Sequence, residues 1–381
     1  MIDRFPSGKT CFLVIHGIGE QNPFETLDSF ARGFVSYFQS QKVPFTLTHE
    51  LRSCNDAGGK QWTDNFVRIG NTSAGDFIDV HEYYWAYLTE EQITTGEVFR
   101  WVQQSLSGAM KYYGQDEELR KKYEGSAKPY WWRLLSILRW MRYWYWAIRL
   151  MSFLLPEWKL FKPLKNIVEG FATNIIVGYI GDVAIYTTTD EKSRYYKIRQ
   201  EILNECLAML ESLLAGRQYD RIIIAGHSLG SVIAYDTLNR LTIKANLEKA
   251  ESHLTGALKG LVTFGSPLDK TAFFFREHTG EDQYIRRQII EHLFSFKAKL
   301  LDLQKNDVRV ENTIVPKLDT VRWINFYDDL DPVSGHLDFY RVDENIKMNL
   351  RKPWGLAHIG YWSDLDMYAR IVEYFLAKPP G

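Results

Sequence analysis

Ser228 stands in the run Gly226-His227-Ser228-Leu229-Gly230, directly after the apolar stretch 221–225 and directly before a helix-period run over 231–240. A serine between a strand and a helix, with glycines two residues away on each side, is the pattern of a nucleophile elbow. Its sharp turn lifts the hydroxyl out of the chain and crowds the flanking α-carbons together. GxSxG alone is a weak signal in a chain with 26 glycines. Strand, turn and helix in that order make it specific. The bland alternative is a Gly-rich strand-to-helix turn without chemistry.

A nucleophilic serine needs a base, an acid to orient the base, and donors for the oxyanion. The helix start after Ser228 supplies one donor, the amide of Leu229. His16-Gly17-Ile18-Gly19 follows the early apolar run 11–15 and offers the second, the amide of Ile18, with Gly17 letting the backbone bend toward a substrate. His16 itself reads as a side chain that fixes this loop, because the chain order Ser, acid, His puts the base late. Asp328, Asp329 and Asp331 follow the apolar run 321–326. Asp331, rigidified by Pro332, is the expected acid, with Asp328 and Asp329 as alternatives. For two of the three, a solvated acidic turn with one Asp as a cap is explanation enough. Downstream of Asp331 the histidines are His336 and His358. His336 leaves no room for a strand between acid and base. His358 lies between a strand expected at 346–350 and a helix expected at 364–376, and is the expected base; the alternative is a loop histidine buried against Trp362.

These residues need elements to carry them. The runs 11–15, 221–225, 261–264 and 321–326 read as core strands, with more strand signal over 77–85. Between them, 191–214 has helical period, with Ile198, Ile202, Cys206, Met209 and Leu213 on one face. Strands alternating with helices predict an α/β fold, a mostly parallel central sheet with helices on both faces. The alternation breaks at roughly 95–178, which predicts a core of 1–94 and 179–381 and an inserted helical cap of 95–178. Within the cap, residues 126–165 hold eight basic side chains, one acid and six of the twelve tryptophans. Trp131, Trp132, Trp140 and Trp144, with Arg139, Arg142 and Arg149, form a basic amphipathic helix by pattern. These three arginines and Arg133 argue against crossing a bilayer, whereas Trp and Arg favour its surface, so a membrane or lipid contact is one expectation. The others are a cap whose aromatic face packs on the sheet domain, and a surface for a protein partner. Residues 166–181 read as a second cap helix.

A formal net charge of -1 gives no global field for nucleic acid. Cys11, Cys54 and Cys206 have neither disulfide-framework nor metal-ligand spacing. The apolar run 11–15 is too short for a signal peptide, so the expected location is cytoplasmic, at most peripheral on a membrane. No GxGxxG after a strand, P-loop or HExxH occurs, so no cofactor and no metal are expected.

With elbow, HGxG loop and the order Ser228, Asp331, His358, the chain resembles the α/β-hydrolase superfamily. GHSLGS at 226–231, VTFGSPLD at 262–269 and DPVS at 331–334 are most similar to its lipase group, class 3 lipase-like members included. The resemblance covers roughly residues 8–90 and 180–378. It implies a serine ester hydrolase acting on a lipid-like acyl ester, with a cap where the Trp-rich basic segment sits; the aromatic content of that segment and the extra carboxylates near Asp331 depart from the pattern. Two other readings stay open: a thioesterase or acyltransferase with the same triad, and a non-catalytic hydrolase-fold protein that binds a membrane or partner through the cap.

Overall fold

The computed structural model describes residues 4–17, 22–55, 61–71, 75–89, 194–248, 256–269, 283–299, 309–331, 333–353 and 356–377. The chain divides into two compact units, Met1–Thr89 with Thr188–Gly381, and Glu90–Thr187. Every described element belongs to the first unit. The cap expected at 95–178, and with it Trp131, Trp132, Arg139, Trp140, Arg142, Trp144 and Arg149, lies outside the described residues.

Apolar runs rich in β-branched residues become strands β1 (Lys9–Ile15), β5 (Arg221–His227), β6 (Leu258–Phe264) and β7 (Arg322–Tyr327). With β2 (Thr46–Asn55), β3 (Gln61–Asn71), β4 (Asp76–Tyr83) and β8 (Glu344–Lys347) they form, among the described residues, one eight-stranded sheet in the order β2-β3-β4-β1-β5-β6-β7-β8. From β4 to β8 all neighbours run parallel, while β2 and β3 add an antiparallel edge. The sheet is thus mixed and mostly parallel, an α/β fold.

Both faces are covered. Phe12, Val14, Ile223, Ala225, Val262, Phe264, Ile324 and Phe326 point to one core, which also holds helices α1 (Glu25–Ser40) and α5 (Leu365–Ile371). The alternate residues Cys11, Leu13, Ile222, Ile224 and Leu261 are buried on the other face, where α2 (Arg194–Ala215) packs beside α3 (Leu229–Leu247). A tenth of the way along the chain, α1 buries a stripe at helical spacing, Leu27, Phe30, Ala31, Phe34 and Phe38. A further helix, α4, spans Tyr284–Leu293.

Several boundaries differ from expectation. The strand expected at 77–85 stops at Tyr83, because Trp85 turns to donate its N–H to a histidine ring. The strand expected at 346–350 is Glu344–Lys347; Met348 N–H still reaches Tyr327 O at the end of β7 at 2.7 Å, but Leu350 N–H turns to an Asp328 carboxylate oxygen at 2.8 Å, so the segment leaves the ladder. The helix expected at 364–376 starts one residue later, capped by Asp364 accepting from Met367 N–H at 3.0 Å, and finishes as a π-turn over Val372–Leu376.

Strand order reverses at one place. After β1 the chain builds α1 and then β2 to β4 on one side of β1, whereas β5 lies on the other side and leads to β6, β7 and β8. The carboxyl ends of β1 and β5 therefore form the switch point of the sheet, the position at which open α/β sheets bind ligands.

Phe30 is fully buried and its ring lies 5.4 Å from Phe12, 5.4 Å from Phe34 and 5.7 Å from Tyr368. Phe30→Ala is expected to destabilise the fold by about 3–5 kcal/mol in a urea melt. A loss under about 1 kcal/mol would mean that this aromatic layer is not packed as described.

Candidate active site

Ser228 is the single residue between β5 and α3, with φ 52° and ψ -126°. Such a conformation costs a non-glycine residue about 1–3 kcal/mol and persists only where neighbours enforce it. Here Ser228 N–H donates to Phe264 O at 3.1 Å, and Ser228 O accepts from Ser231 N–H at 3.0 Å and from Ser231 Oγ. A side chain at Gly226 would meet Gly230 O at 2.6 Å, and one at Gly230 would run into the backbone at the end of β1. The turn closes only with glycine at both positions. Leu229 opens α3, so its amide belongs to the first turn, where N–H groups lack intrahelical partners. Ser228 Oγ is buried and has no hydrogen-bond partner among the described residues.

β7 and the turn after β8 bring the acid and the imidazole together. His358 Nδ1 lies 3.1 Å from Asp331 Oδ1 and 3.0 Å from Oδ2. Asp331 also accepts the Val333 N–H at 2.8 Å and the Tyr361 hydroxyl at 3.0 Å. Burial alone would raise the Asp331 carboxyl. The hydrogen bond and charge of His358, with the Val333 and Tyr361 donors, outweigh burial and hold it well below the usual carboxylate range. The neighbouring carboxylates are employed elsewhere. Asp328 accepts from the Leu330 and Leu350 amides at 2.8 Å each, and exposed Asp329 pairs with Lys347. His336 sits at the surface beside Asp338 at 2.9 Å.

The loop after β1 reaches Ser228. A Cβ on Gly17 would lie 2.6 Å from Ser228 Cβ, so the backbone at Gly17 runs directly against the elbow. Ile18 lies outside the described residues. His16 is buried, stacked on Trp85 with ring centroids 4.9 Å apart, and shares a 2.7 Å hydrogen bond between Nδ1 and Gly17 O. Its Nε2 accepts Trp85 N–H, which assigns the proton to Nδ1, and Trp85 Nε1–H donates to His16 O. Burial pushes the ring's pKa down to about 4, so it is neutral and fixes the loop.

The structure thus joins Asp331 to His358 and Gly17 to Ser228, and all four lie at the carboxyl edge of the parallel strands. It does not hydrogen-bond Ser228 to His358. Sequence reasoning missed three contributors: Trp85, which clamps His16; Ser231, which holds the elbow carbonyl; and Tyr361, which donates to Asp331. Tyr361 had a legible signal, since it follows His358 by three residues, one turn of the 3₁₀ geometry found there. Among the described residues no cluster of His, Cys, Asp or Glu could hold a metal ion, and the buried thiols Cys11 and Cys206 are both raised by burial, Cys206 to about 12. The chain matches no protein-family model and no curated protein.

The depressed Asp331 has a thermodynamic signature. A carboxylate whose pKa is lower folded than unfolded adds stability above its unfolded value, roughly 3.9, and that stability is lost as pH falls through the folded value. Asp331→Asn is therefore expected to destabilise the protein most at pH 6–7 and progressively less below about pH 4, read from urea melts of both proteins. A pH-independent difference would contradict the charge-assisted pairing.

Proposed function

We propose that this chain is a serine hydrolase of α/β-hydrolase fold that cleaves a lipid-like acyl ester. The supporting observation is the meeting of Asp331 and His358, 27 residues apart in sequence, at the same sheet edge as a serine in a strained strand-to-helix turn. The chain order Ser, Asp, His, with the glycine-bearing loop of β1 against the serine, is what this fold uses for acyl transfer.

In this reading Ser228 Oγ attacks the ester carbonyl and His358 Nε2 takes its proton, Nδ1 being engaged by Asp331. Asp331 keeps the imidazole in that tautomer and stabilises the imidazolium. The Leu229 amide stabilises the tetrahedral oxyanion, with the Ile18 amide as the expected second donor. His358 then returns the proton to the leaving alcohol, and water repeats the sequence on the acyl-enzyme. The Ser228–His358 hydrogen bond has to form on substrate binding, as catalytic contacts often tighten only in the complex.

The acyl preference rests on apolar side chains. Three segments at or near this edge expose four of them: Phe24 after the β1 loop, Leu330 beside Asp331, and Leu356 and Ile359 flanking His358, the last 63% exposed. The basic, Trp-rich segment 126–165 supports a peripheral contact with a membrane surface on sequence pattern alone. No helix among the described residues is long and apolar enough to cross a membrane. The unpartnered Ser228 Oγ favours a second reading, a hydrolase-fold binding module without turnover.

Hydrolysis of 4-nitrophenyl esters separates the two. Wild type is expected to turn over, faster on octanoate than on acetate. Ser228→Ala and His358→Ala should each lose about 10⁴-fold or more in kcat, and Asp331→Asn about 10²–10⁴-fold. Equal turnover by wild type and Ser228→Ala would exclude the serine mechanism, and an inert wild type that still binds vesicles would favour the binding module.

A further inference from the structure

The residue immediately before the nucleophile faces both the loop after β1 and the turn that bears His358. His227 is buried among Phe264, His358, Tyr361 and Trp362, with ring centroids 5.1, 4.7, 6.3 and 4.9 Å away. Its Nε2 lies 2.9 Å from the backbone oxygen of His358. Facing a carbonyl, Nε2 must carry the proton and donate it. On the opposite side of the ring, a Cβ on Gly17 would lie 3.3 Å from Nδ1, so that edge looks at the loop running against Ser228. One imidazole spans from the loop after β1 to the turn that bears His358.

That turn is partly uncovered. Leu356 and Ile359, on either side of the imidazole-bearing segment, are 45% and 63% exposed, and within 356–359 only Ala357 is fully buried. Its local backbone bonds, Ala357 N–H to Pro353 O and Gly360 N–H to Ala357 O, shape the turn without attaching it to the sheet. Beside the buried Ala357 and Tyr361, His358 itself holds the turn to the site, through its side chain to Asp331 and its carbonyl to His227. Gly265 makes this meeting of rings sterically feasible. It has φ +62°, and a Cβ there would lie 3.1 Å from both His227 Nε2 and His358 Cε1.

We propose that His227 is a positioning residue, which aims His358 at Ser228 by donating Nε2–H to the His358 carbonyl. The inference rests on the hydrolase reading above. His227 does not compete as a base: burial, followed by the neighbouring His358, pushes its pKa down to about 3, so it stays a neutral donor throughout the working range.

The test exploits side-chain geometry. Glutamine places an N–H donor near the Nε2 position of histidine; asparagine places one near Nδ1; neither supplies an aromatic ring. His227→Gln and His227→Asn therefore lose the ring packing alike and differ in the tie to His358. Two readouts are taken on the full chain: kcat and KM for 4-nitrophenyl butyrate, and backbone hydrogen exchange of residues 356–360. Misplacing a catalytic group by about 1 Å costs about 10²-fold. His227→Asn is expected to lose about 10- to 100-fold in kcat with KM changed less than about threefold, and to exchange faster over 356–360. His227→Gln should recover to within about fivefold of wild type on both. Equal impairment of the two variants would overturn the proposal by assigning His227 to packing, and wild-type behaviour of His227→Asn would overturn it outright. If wild type shows no turnover, the hydrolase reading fails. The exchange of 356–360 then decides the tie alone: faster only in His227→Asn supports it, and no difference between the variants overturns it.

Discussion

A serine at positive φ between a strand and a helix governs the arrangement of the rest of the molecule. It is stable only if the chain two residues before and after can pass without side chains, which Gly226 and Gly230 permit, and if the displaced backbone groups find partners. Phe264 O takes the Ser228 amide and Ser231 takes its carbonyl, so β6 and α3 must both abut the elbow. Parallel order beside β5 then follows. The reversal of strand order between β1 and β5 places Ser228 at the switch point of the sheet, where the backbone of the loop after β1 runs against it.

Charge is handled at the same edge by hydrogen bonds instead of solvent. The Asp331 side chain is fully buried, which taken alone would neutralise it. Three donors, the His358 ring, the Val333 amide and the Tyr361 hydroxyl, keep it ionised. A buried carboxylate held this way fixes an imidazole tautomer more firmly than an exposed one, because water cannot replace either partner. The two other histidines of the neighbourhood, His16 and His227, are driven neutral by burial and serve as fixed donors, leaving one imidazole in contact with a carboxylate.

Legibility in the sequence followed locality. The elbow was readable because strand, turn glycines and helix are contiguous, and the four core strands because both their faces are apolar. Chain order pointed to Asp331 and His358, but excluding Asp328 and Asp329 required partners 22 and 18 residues away, the Leu350 amide and Lys347, that no local pattern reports. The antiparallel edge was illegible for a different reason: its polarity is inverted. On β2, Leu47 and Leu51 are 55% and 64% exposed, while the covered face of β3 and β4 carries Asp64, Asp79 and His81. These are satisfied by Arg52, Arg68 and Tyr219 in a closed polar network. Hydrophobic periodicity carries no signal where a hydrogen-bonded network replaces the apolar stripe. The helix α1 stripe, by contrast, was present at regular spacing and simply lay between more conspicuous motifs.

The central claim is that Ser228 is a nucleophile activated by His358. Its most direct test is covalent: treatment with a fluorophosphonate, followed by intact mass and peptide mapping, which needs an activated serine and no knowledge of the substrate. The account predicts a single adduct on Ser228, strongly slowed in His358→Ala. No adduct on wild type, with or without detergent or liposomes, or an adduct formed equally fast in His358→Ala, would contradict it.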